Sequence, residues 1–401
     1  MTSLEISFCM LVGIIFYSYV GYGALVIILG RLKSIIRGKK SVSHDTYEPP
    51  VTLLFAVFNE EAWLKKKIEN SLALDYPQDK LKIMVISDGS NDGSAAIAEM
   101  FPRILHLHEA KRQGKMAAIN RAMKFVDTEI VIFSDANTMI NKEAVRELVS
   151  FFRDPAVGCV CGEKRVYTED RNEAASAGEG TYWRYESRIK EAESSVGSCI
   201  GAAGELYAIL NALYQDQPAD TIVDDFMISM GIALRGYRIQ YAPGAHAIET
   251  ASADIGEEFK RKTRIAAGNL QSILRMPMLL NPFRHGMLAF QYISHKFLRS
   301  FVVPLCFAAL IPMNLFLLAE KWPLYVLLFI LQVLFYLAAG SGYLLQNRRL
   351  SSRLFFVPLY ITVMNISAMV GFSRYLRGQQ SVLWEKAGRR VETPKKEGSW
   401  T

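Results

Sequence analysis

Two aspartates stand where strand-like runs of the sequence end. Asp88 closes the apolar run 83–87 and is followed by Gly89, and Asp135 closes the run 130–134. In open α/β sheets, ligands bind just beyond the carboxyl ends of the strands. A glycine after a carboxylate lets a ligand approach the backbone closely. The two aspartates therefore predict a nucleotide site at one edge of a sheet.

Basic residues follow between these two strand ends. Lys111, Arg112 and Lys115 surround Gly114, near the predicted start of a helix. Cationic side chains at a helix N-terminus suit a diphosphate group. Taken alone, the same segment is more typical of a solvated basic face.

Asp135 and Asn137 offer two oxygen ligands, two residues apart at a strand end. Carboxylate and amide oxygens are what Mg²⁺ or Mn²⁺ requires, and such a metal bridges to substrate phosphates. The pair predicts a divalent metal site. The motif is weak on its own, and its position after Asp88 and Lys115 is what supports the prediction.

A second acidic pair, Asp224 and Asp225, follows the apolar residues Ile222 and Val223 and precedes a predicted helix. Two adjacent carboxylates in different environments can differ in pKa, so that one is suited to deprotonate a hydroxyl group. The alternative interpretation is a helix N-terminal pair that the helix dipole stabilises.

The elements that must position these residues alternate between strands and helices. Strands are predicted at 51–57, at 104–108 and in the runs ending at Asp88 and Asp135, and helices at 63–74, 94–100 and 115–126. This β-α-β-α-β series predicts an α/β fold with a mainly parallel sheet covered by helices. Later in the chain, a helix is predicted at 173–193 and a final strand at 237–242.

Hydrophobic segments flank this polar region, in a chain of 401 residues that is 51% hydrophobic with net charge +7. Residues 4–32 carry only Glu5 and Arg31 as charges and exceed the roughly 20 apolar residues that span a bilayer. The basic residues that follow, including Lys39 and Lys40, indicate that the next domain is cytosolic. The five cysteines show neither metal-ligand spacing nor a disulfide framework.

The predicted domain organisation has five parts. They are an N-terminal anchor with a basic linker (1–40), a cytosolic catalytic domain (41–282), an amphipathic helix in the membrane interface (283–299), C-terminal membrane helices (300–372) and a basic tail (373–401). One span before the domain and three after it place the tail outside the cell. The tail is nevertheless strongly basic, so the topology of its last span, 354–372, is left open.

Taken together, the ordered motifs resemble those of family 2 glycosyltransferases, the membrane-attached inverting enzymes with a GT-A fold that include cellulose, hyaluronan and chitin synthases. The likeness runs from residue 51 to about residue 270. The motifs that carry it are Asn59-Glu60, Asp88-Gly-Ser, Gly114-Lys115, Ser134-Asp-Ala-Asn137, Gly201-Ala-Ala-Gly204 and Asp224-Asp225.

The resemblance implies a role for each matching residue. Asp88 would hold the uridine of a nucleotide sugar, and Lys115 would lie near its phosphates. Asp135 would take the metal-binding role of the family's Asp-X-Asp motif, with Asn137 in place of the second carboxylate. Asp225 would be the general base, with Asp224 in the place of the glutamate of the family's Thr-Glu-Asp segment. The motifs also imply that Asn59, Glu60, Gly114 and Gly204 contact substrate.

The largest departure from the family pattern lies at residues 261–265, where processive members carry Gln-X-X-Arg-Trp. Arg264 keeps the arginine of this motif and can offer a fork of donors to a diphosphate. Arg261 stands in place of the glutamine and is expected to contact substrate. Ile265 replaces the tryptophan, which stacks on the acceptor sugar in polymerising relatives.

The sequence therefore predicts a multi-pass enzyme of the inner or plasma membrane, in contact with membrane lipids. It is expected to transfer a sugar from a UDP-sugar to a saccharide or lipid-linked acceptor. The expected cofactor is Mg²⁺ or Mn²⁺, and no nucleic-acid partner is expected. Two alternatives are a processive synthase that also translocates its polymer, and a non-catalytic scaffold that binds nucleotide sugars. The spans offer only scattered polar residues for a channel, such as Asn314, Gln332 and Asn365.

Overall fold

The computed structural model describes residues 2–37, 47–167, 174–250, 255–320, 322–345, 353–381 and 383. The strands are β1 (Val51–Val57), β2 (Leu81–Asp88), β3 (Ile104–Glu109), β4 (Ile130–Ser134), β5 (Met139–Ile140), β6 (Val157–Tyr167), β7 (Leu206–Leu210) and β8 (Arg238–Thr250). The α-helices are α1 (Ser3–Phe16), α2 (Tyr22–Arg37), α3 (Glu61–Leu72), α4 (Ser94–Glu99), α5 (Lys115–Met123), α6 (Ala144–Ser150), α7 (Ala174–Val196), α8 (Asp224–Leu234), α9 (Ile255–Arg275), α10 (Pro282–Gln291), α11 (Val303–Leu317), α12 (Pro323–Leu345) and α13 (Arg353–Leu376).

The chain folds into two units, each built from segments that are distant in sequence. The sheet unit comprises Leu29–Tyr167, Tyr185–Ala251 and Ser381–Thr401. The helical unit comprises Met1–Ile28, Thr168–Arg184 and Ser252–Gln380.

The sheet unit contains one eight-stranded sheet in the order β3-β2-β1-β4-β7-β6-β8-β5. Strands β3, β2, β1 and β4 run parallel, β7 is antiparallel to both β4 and β6, and β6 is parallel to β8. This confirms the predicted mainly parallel α/β sheet. The carboxyl ends of β2, β1 and β4 consequently meet at one edge.

Apolar residues on both faces of the parallel strands form the core of this unit. On one face of β1, Leu53 and Phe55 are buried in one cluster with Leu64 and Ile68 of α3, and on the opposite face Leu54 is buried as well. Near-continuous apolar strands of this kind are typical of parallel sheets that helices cover on both faces. The buried strand β1 therefore lies fixed between β2 and β4. The ends of β2 and β4 carry the candidate site.

Strand β8 is longer than the sequence predicts. The predicted final strand covers 237–242, whereas β8 continues to Thr250. Pro243 and Gly244 normally end a strand. Here the register against β6 jumps at this point, from Gly162 opposite Ala242 to Glu163 opposite His246. The extra residues form an irregularity within the strand, and pairing resumes after it.

Within the described residues, four helical stretches are long and apolar enough to cross a membrane: Ser3–Ile36, Pro282–Leu317, Pro323–Leu345 and Leu354–Leu376. The predicted interfacial segment 283–299 lies within the second of them, in α10 and a π-helical segment, Tyr292–Val302. Gly286, with φ of 49°, interrupts α10 near its start. The assignment of this segment to the membrane interface stays a prediction.

Polar side chains within the helical unit pair with one another. Tyr325 donates to Glu5 Oε1 at 2.8 Å, and Asn314 donates to Gln332 Oε1 at 2.9 Å. Such hydrogen bonds satisfy groups that hydrocarbon would leave unpaired. Lys39 and Lys40, on which the topology prediction depends, lie outside the described residues, as do residues 384–401 of the basic tail.

Candidate active site

The candidate site lies in the sheet unit, where strand ends and helix starts converge. Asp88 ends β2, Asp135 directly follows β4, Lys115 begins α5 and Asp224 begins α8. Strands β2 and β4 flank β1, so the two aspartates lie on strands with one strand between them. The structure thus places four of the predicted site residues at element ends, as the sequence predicts.

Lys115 connects the two acidic parts of the site. Its Nζ lies 3.0 Å from Asp135 Oδ1 and 3.2 Å from Asp224 Oδ2. Burial lowers the pKa of Lys115, but the carboxylates of Asp135 and Asp224 outweigh burial and raise the pKa above its ordinary value. The lysine is therefore a fixed positive charge at the centre of the site.

Asp225 has the electrostatic environment of a base. Burial, followed by the neighbouring charge of Asp224, raises the pKa of Asp225 to about 6. Its Oδ1 accepts a hydrogen bond from the backbone N–H of Phe226 at 2.8 Å, which holds the carboxylate at the first turn of α8. A carboxylate with a pKa near 6 is ionised at neutral pH yet more basic than an ordinary aspartate, as general-base catalysis requires.

The glycine-rich segment before β7 lies against Asp225. A Cβ atom at Gly204 would lie 3.4 Å from Asp225 Oδ2, so the glycine keeps space open beside this carboxylate. Gly201 has φ of 77°, and a Cβ atom there would lie 2.5 Å from the ring of Phe226. Gly201 is therefore required for the turn, whereas a Cβ atom at Gly204 would fit in van der Waals contact with the candidate base and would fill the space beside it.

Asp88 is fully buried, and its carboxylate binds protein groups. Oδ2 accepts from the backbone N–H of Gly114 at 2.7 Å, and Oδ1 accepts from that of Gln113 at 3.1 Å. Arg121 of α5 donates to Oδ1 at 3.0 Å. Asp88 thus holds the loop that leads to Lys115, a role that its sequence motif does not indicate. The direct contact with uridine stays a prediction.

Asn59 and Glu60 join the end of β1 to the loop after β2. Asn59, with φ of 55°, accepts from the N–H of Asn91 at 2.9 Å through its Oδ1. The N–H of Glu60 donates to Ser94 Oγ at 3.0 Å. Both residues therefore shape the loop at 88–94, next to the buried Asp88.

A ring and a guanidinium group stack beside this loop. The Cζ atom of Arg112 lies 3.6 Å from the centroid of the Phe58 ring. Arg112 is predicted from the sequence as a cationic donor, whereas Phe58 is not among the predicted site residues. The position of Phe58 directly before the Asn59-Glu60 motif is the sequence signal that could have identified it as a candidate site residue.

The fit of a divalent metal depends on Asp135 and Asn137. The side chain of Asp135 is 30% exposed, so its carboxylate is accessible from outside the protein. Among the described residues, no group of three or more His, Cys, Asp or Glu side chains is arranged to hold a metal. The two hard oxygen ligands nevertheless suit an ion such as Mg²⁺, which usually takes its remaining ligands from water and substrate phosphates.

Arg261 and Arg264 lie on α9, in the helical unit. Arg261 pairs with Glu258 one turn earlier, with Nη2 to Oε2 at 2.8 Å. Ile265, which stands in place of the family's tryptophan, lies on the same helix. The predicted diphosphate contact of Arg264 stays a prediction.

Two protein-family models match the chain. The model of glycosyl transferase family group 2 matches residues 130–365, and that of glycosyl transferase family 2 matches residues 52–207. Curated relatives include the poly-β-1,6-N-acetyl-D-glucosamine synthases of Staphylococcus aureus strain COL, 27% identical over 257 residues, and of Staphylococcus epidermidis, 28% identical over 238 residues. These alignments cover 61% and 56% of this chain, and 60% and 56% of the relatives.

A solved structure supports the same fold. The mannosyltransferase PcManGT from Pyrobaculum calidifontis, solved in complex with GDP-Man and Mn²⁺, superposes with a TM-score of 0.69 over 94% of this chain and 99% of that one. The two sequences are 22% identical, so the likeness establishes the fold alone.

Proposed function

The chain belongs to glycosyltransferase family 2, and we propose that it is an inverting enzyme that transfers a sugar from a UDP-sugar to a saccharide or lipid-linked acceptor. The observation that carries this proposal is the ion-paired cluster of Lys115, Asp135 and Asp224, directly beside the high-pKa carboxylate of Asp225. Cationic, metal-binding and basic groups thus converge where glycosyl transfer needs them.

The reaction assigned to this site is a single displacement. Asp225 removes a proton from an acceptor hydroxyl, the oxygen attacks the anomeric carbon, and the bond to the nucleoside diphosphate breaks. Lys115 stabilises the negative charge that develops on the departing diphosphate. Gly204 leaves the space beside Asp225 Oδ2 through which the hydroxyl reaches the base.

Asp135 and Asn137 would hold a divalent cation, Mg²⁺ or Mn²⁺, at the end of β4. When bound, such an ion neutralises charge on the diphosphate leaving group. The neighbouring ammonium of Lys115 keeps the Asp135 carboxylate in place.

We assign the site to the cytosolic side of the inner or plasma membrane. The four apolar helical stretches support attachment to a membrane, and the basic residues after the first stretch support a cytosolic sheet unit. The products would enter polysaccharide or glycolipid biosynthesis.

A processive synthase is the second candidate function, because the curated relatives above are polysaccharide synthases by name. A channel for polymer needs polar side chains that face an aqueous path. Asn314 and Gln332 hydrogen-bond to each other, and Asn365 donates to Tyr19 at 3.2 Å. Because these polar side chains are engaged in hydrogen bonds within the helical unit, they are poor candidates for lining such a path. Their engagement therefore favours transfer of one or a few sugars over polymer export.

A non-catalytic scaffold is disfavoured by the joint presence of Asp225 and the Lys115–Asp135–Asp224 cluster, since binding nucleotide sugars does not require a base.

The test is release of UDP from a panel of UDP-sugars by the purified protein in detergent, with Mn²⁺ and membrane-extracted acceptor lipids. We expect one donor to give acceptor-dependent UDP release that chelation with EDTA removes. The matched control is Asp225→Asn, which should bind UDP without releasing it from that donor. UDP binding by wild type with no turnover of any donor would contradict the enzyme assignment and favour the scaffold.

A further inference from the structure

A lysine lies buried beneath the metal-binding turn. Lys67, on α3, is 0% exposed. Its Nζ donates to Ser134 Oγ at 2.7 Å and to the carbonyl oxygen of Thr138 at 2.9 Å. These two acceptors lie on either side of the segment that carries Asp135 and Asn137, so one ammonium group holds both ends of the turn.

The burial of this lysine is costly. Among the residues that the structure describes, no carboxylate forms an ion pair with Lys67. Burial lowers the pKa of Lys67 to about 7, against the attraction of Asp135. Buried charges without a paired counter-charge destabilise folded proteins. Loss of the lysine would nevertheless leave Ser134 Oγ and the carbonyl oxygen of Thr138 without this donor, and a buried acceptor left unpaired costs more free energy than a hydrogen bond contributes.

The hydrogen bonds around Lys67 have a fixed direction. Ser134 Oγ donates to the carbonyl oxygen of Glu205 at 2.9 Å, so its lone pair accepts from Lys67. Thr138 Oγ1 donates to the carbonyl oxygen of Asp135 at 2.9 Å. These hydrogen bonds thus connect Lys67 on α3, through Ser134 at the end of β4, to the backbone of Glu205. Glu205 directly follows Gly204, and Gly204 lies beside Asp225.

We propose that Lys67 is a positioning residue for glycosyl transfer, which holds the Asp135 turn and the Gly204–Glu205 segment at the spacing that the reaction needs. Through Ser134 it links the donor side of the site, with Asp135 and Asn137, to the acceptor side, with Asp225. This inference rests on the proposed function.

The same helix provides a matched control. Asn70 lies one turn after Lys67, and its side chain makes two hydrogen bonds with the backbone of Ile140, at 2.9 and 3.0 Å. Asn70 therefore also fixes the chain that follows β4, but at a point beyond Thr138. Loss of either side chain should destabilise the sheet unit, whereas only loss of Lys67 should alter the site.

The experiment compares wild type with Lys67→Met and Asn70→Leu by thermal unfolding, by calorimetric binding of UDP with and without Mn²⁺, and by steady-state kinetics. We expect both variants to unfold at lower temperature. Only Lys67→Met should lose about tenfold or more in Mn²⁺-dependent UDP affinity and in kcat, the usual scale for residues that orient metal ligands.

Several outcomes separate this inference from the proposed function. Wild type that neither binds UDP nor turns over any UDP-sugar would overturn both. Active wild type with Lys67→Met unchanged in affinity and kcat, or with Asn70→Leu impaired to the same degree, would overturn the positioning role alone. If Lys67→Met does not fold, Ser134→Ala decides: the inference requires the same losses there, and wild-type affinity and kcat in Ser134→Ala would refute it.

Discussion

Lys115 Nζ lies 3.0 Å from Asp135 Oδ1, which joins the first turn of α5 to the end of β4. The same ammonium group lies 3.2 Å from Asp224 Oδ2. Two negative charges therefore face one positive charge, so these three side chains together carry a net negative charge. Such a balance would favour a divalent cation in the proposed metal site even with Asn137 in place of a second motif carboxylate.

The metal site can be tested by opposite changes at its two ligands. Asp135→Ala removes the only carboxylate of the motif and should abolish the Mn²⁺ dependence of UDP affinity. Asn137→Asp adds a charged ligand and should strengthen it. Calorimetry with Mn²⁺ and with EDTA measures both. Unchanged metal-dependent binding in Asp135→Ala would exclude this site.

The pH dependence of the reaction follows from Asp225. Because its pKa is raised to about 6 and a general base works only when deprotonated, kcat/KM should fall about tenfold per pH unit below pH 6 and be flat above it. Asp224→Asn removes the adjacent negative charge, so the acid limb should move to lower pH. A profile that is flat down to pH 5 in wild type would be inconsistent with Asp225 as the base.

The two glycines before β7 should respond differently to an added methyl group. Gly201→Ala places Cβ 2.5 Å from the Phe226 ring at a φ of 77°, which should destabilise the fold by at least about 1 kcal/mol. Gly204→Ala places Cβ 3.4 Å from Asp225 Oδ2, so the protein should fold normally while kcat falls about tenfold or more. Thermal unfolding and kinetics separate the two effects. Wild-type kcat in Gly204→Ala would argue against an acceptor path beside this carboxylate.

Product length tests how the acceptor is held. Aromatic stacking is one way a protein grips a sugar chain, and Ile265 stands where processive relatives carry tryptophan. Purified enzyme should give short products whose length is independent of the donor-to-enzyme ratio. High-molecular-weight polymer at early time points on a gel would instead establish the processive synthase.

The sequence predicts those parts of the candidate site that follow from local pattern. Asp88 and Asp135 are predictable because each ends an apolar run, and such runs form the buried parallel strands of this sheet. The start of α8 at Asp224 is predictable because two carboxylates precede an apolar helix.

Contacts between residues that are distant in sequence cannot be predicted from local sequence pattern. Nothing local indicates that Arg121 binds Asp88, because the two residues meet only once β2 and α5 have packed. Lys67 could have been suspected, since it lies on the same helical face as the buried Leu64 and Ile68. Its partners Ser134 and Thr138 could not, because they come from a strand end and a turn far along the chain.

The most direct test of the account is Asp225→Asn, a change that keeps the shape of the side chain and removes its basicity. UDP affinity in the presence of Mn²⁺ should stay within about twofold of wild type, while acceptor-dependent UDP release falls by roughly 10² or more, the usual scale for loss of a general base. Asp216→Asn, at an exposed aspartate of the same unit, is the control and should be fully active. Turnover of Asp225→Asn within a few-fold of wild type would contradict the central claim that this carboxylate activates the acceptor.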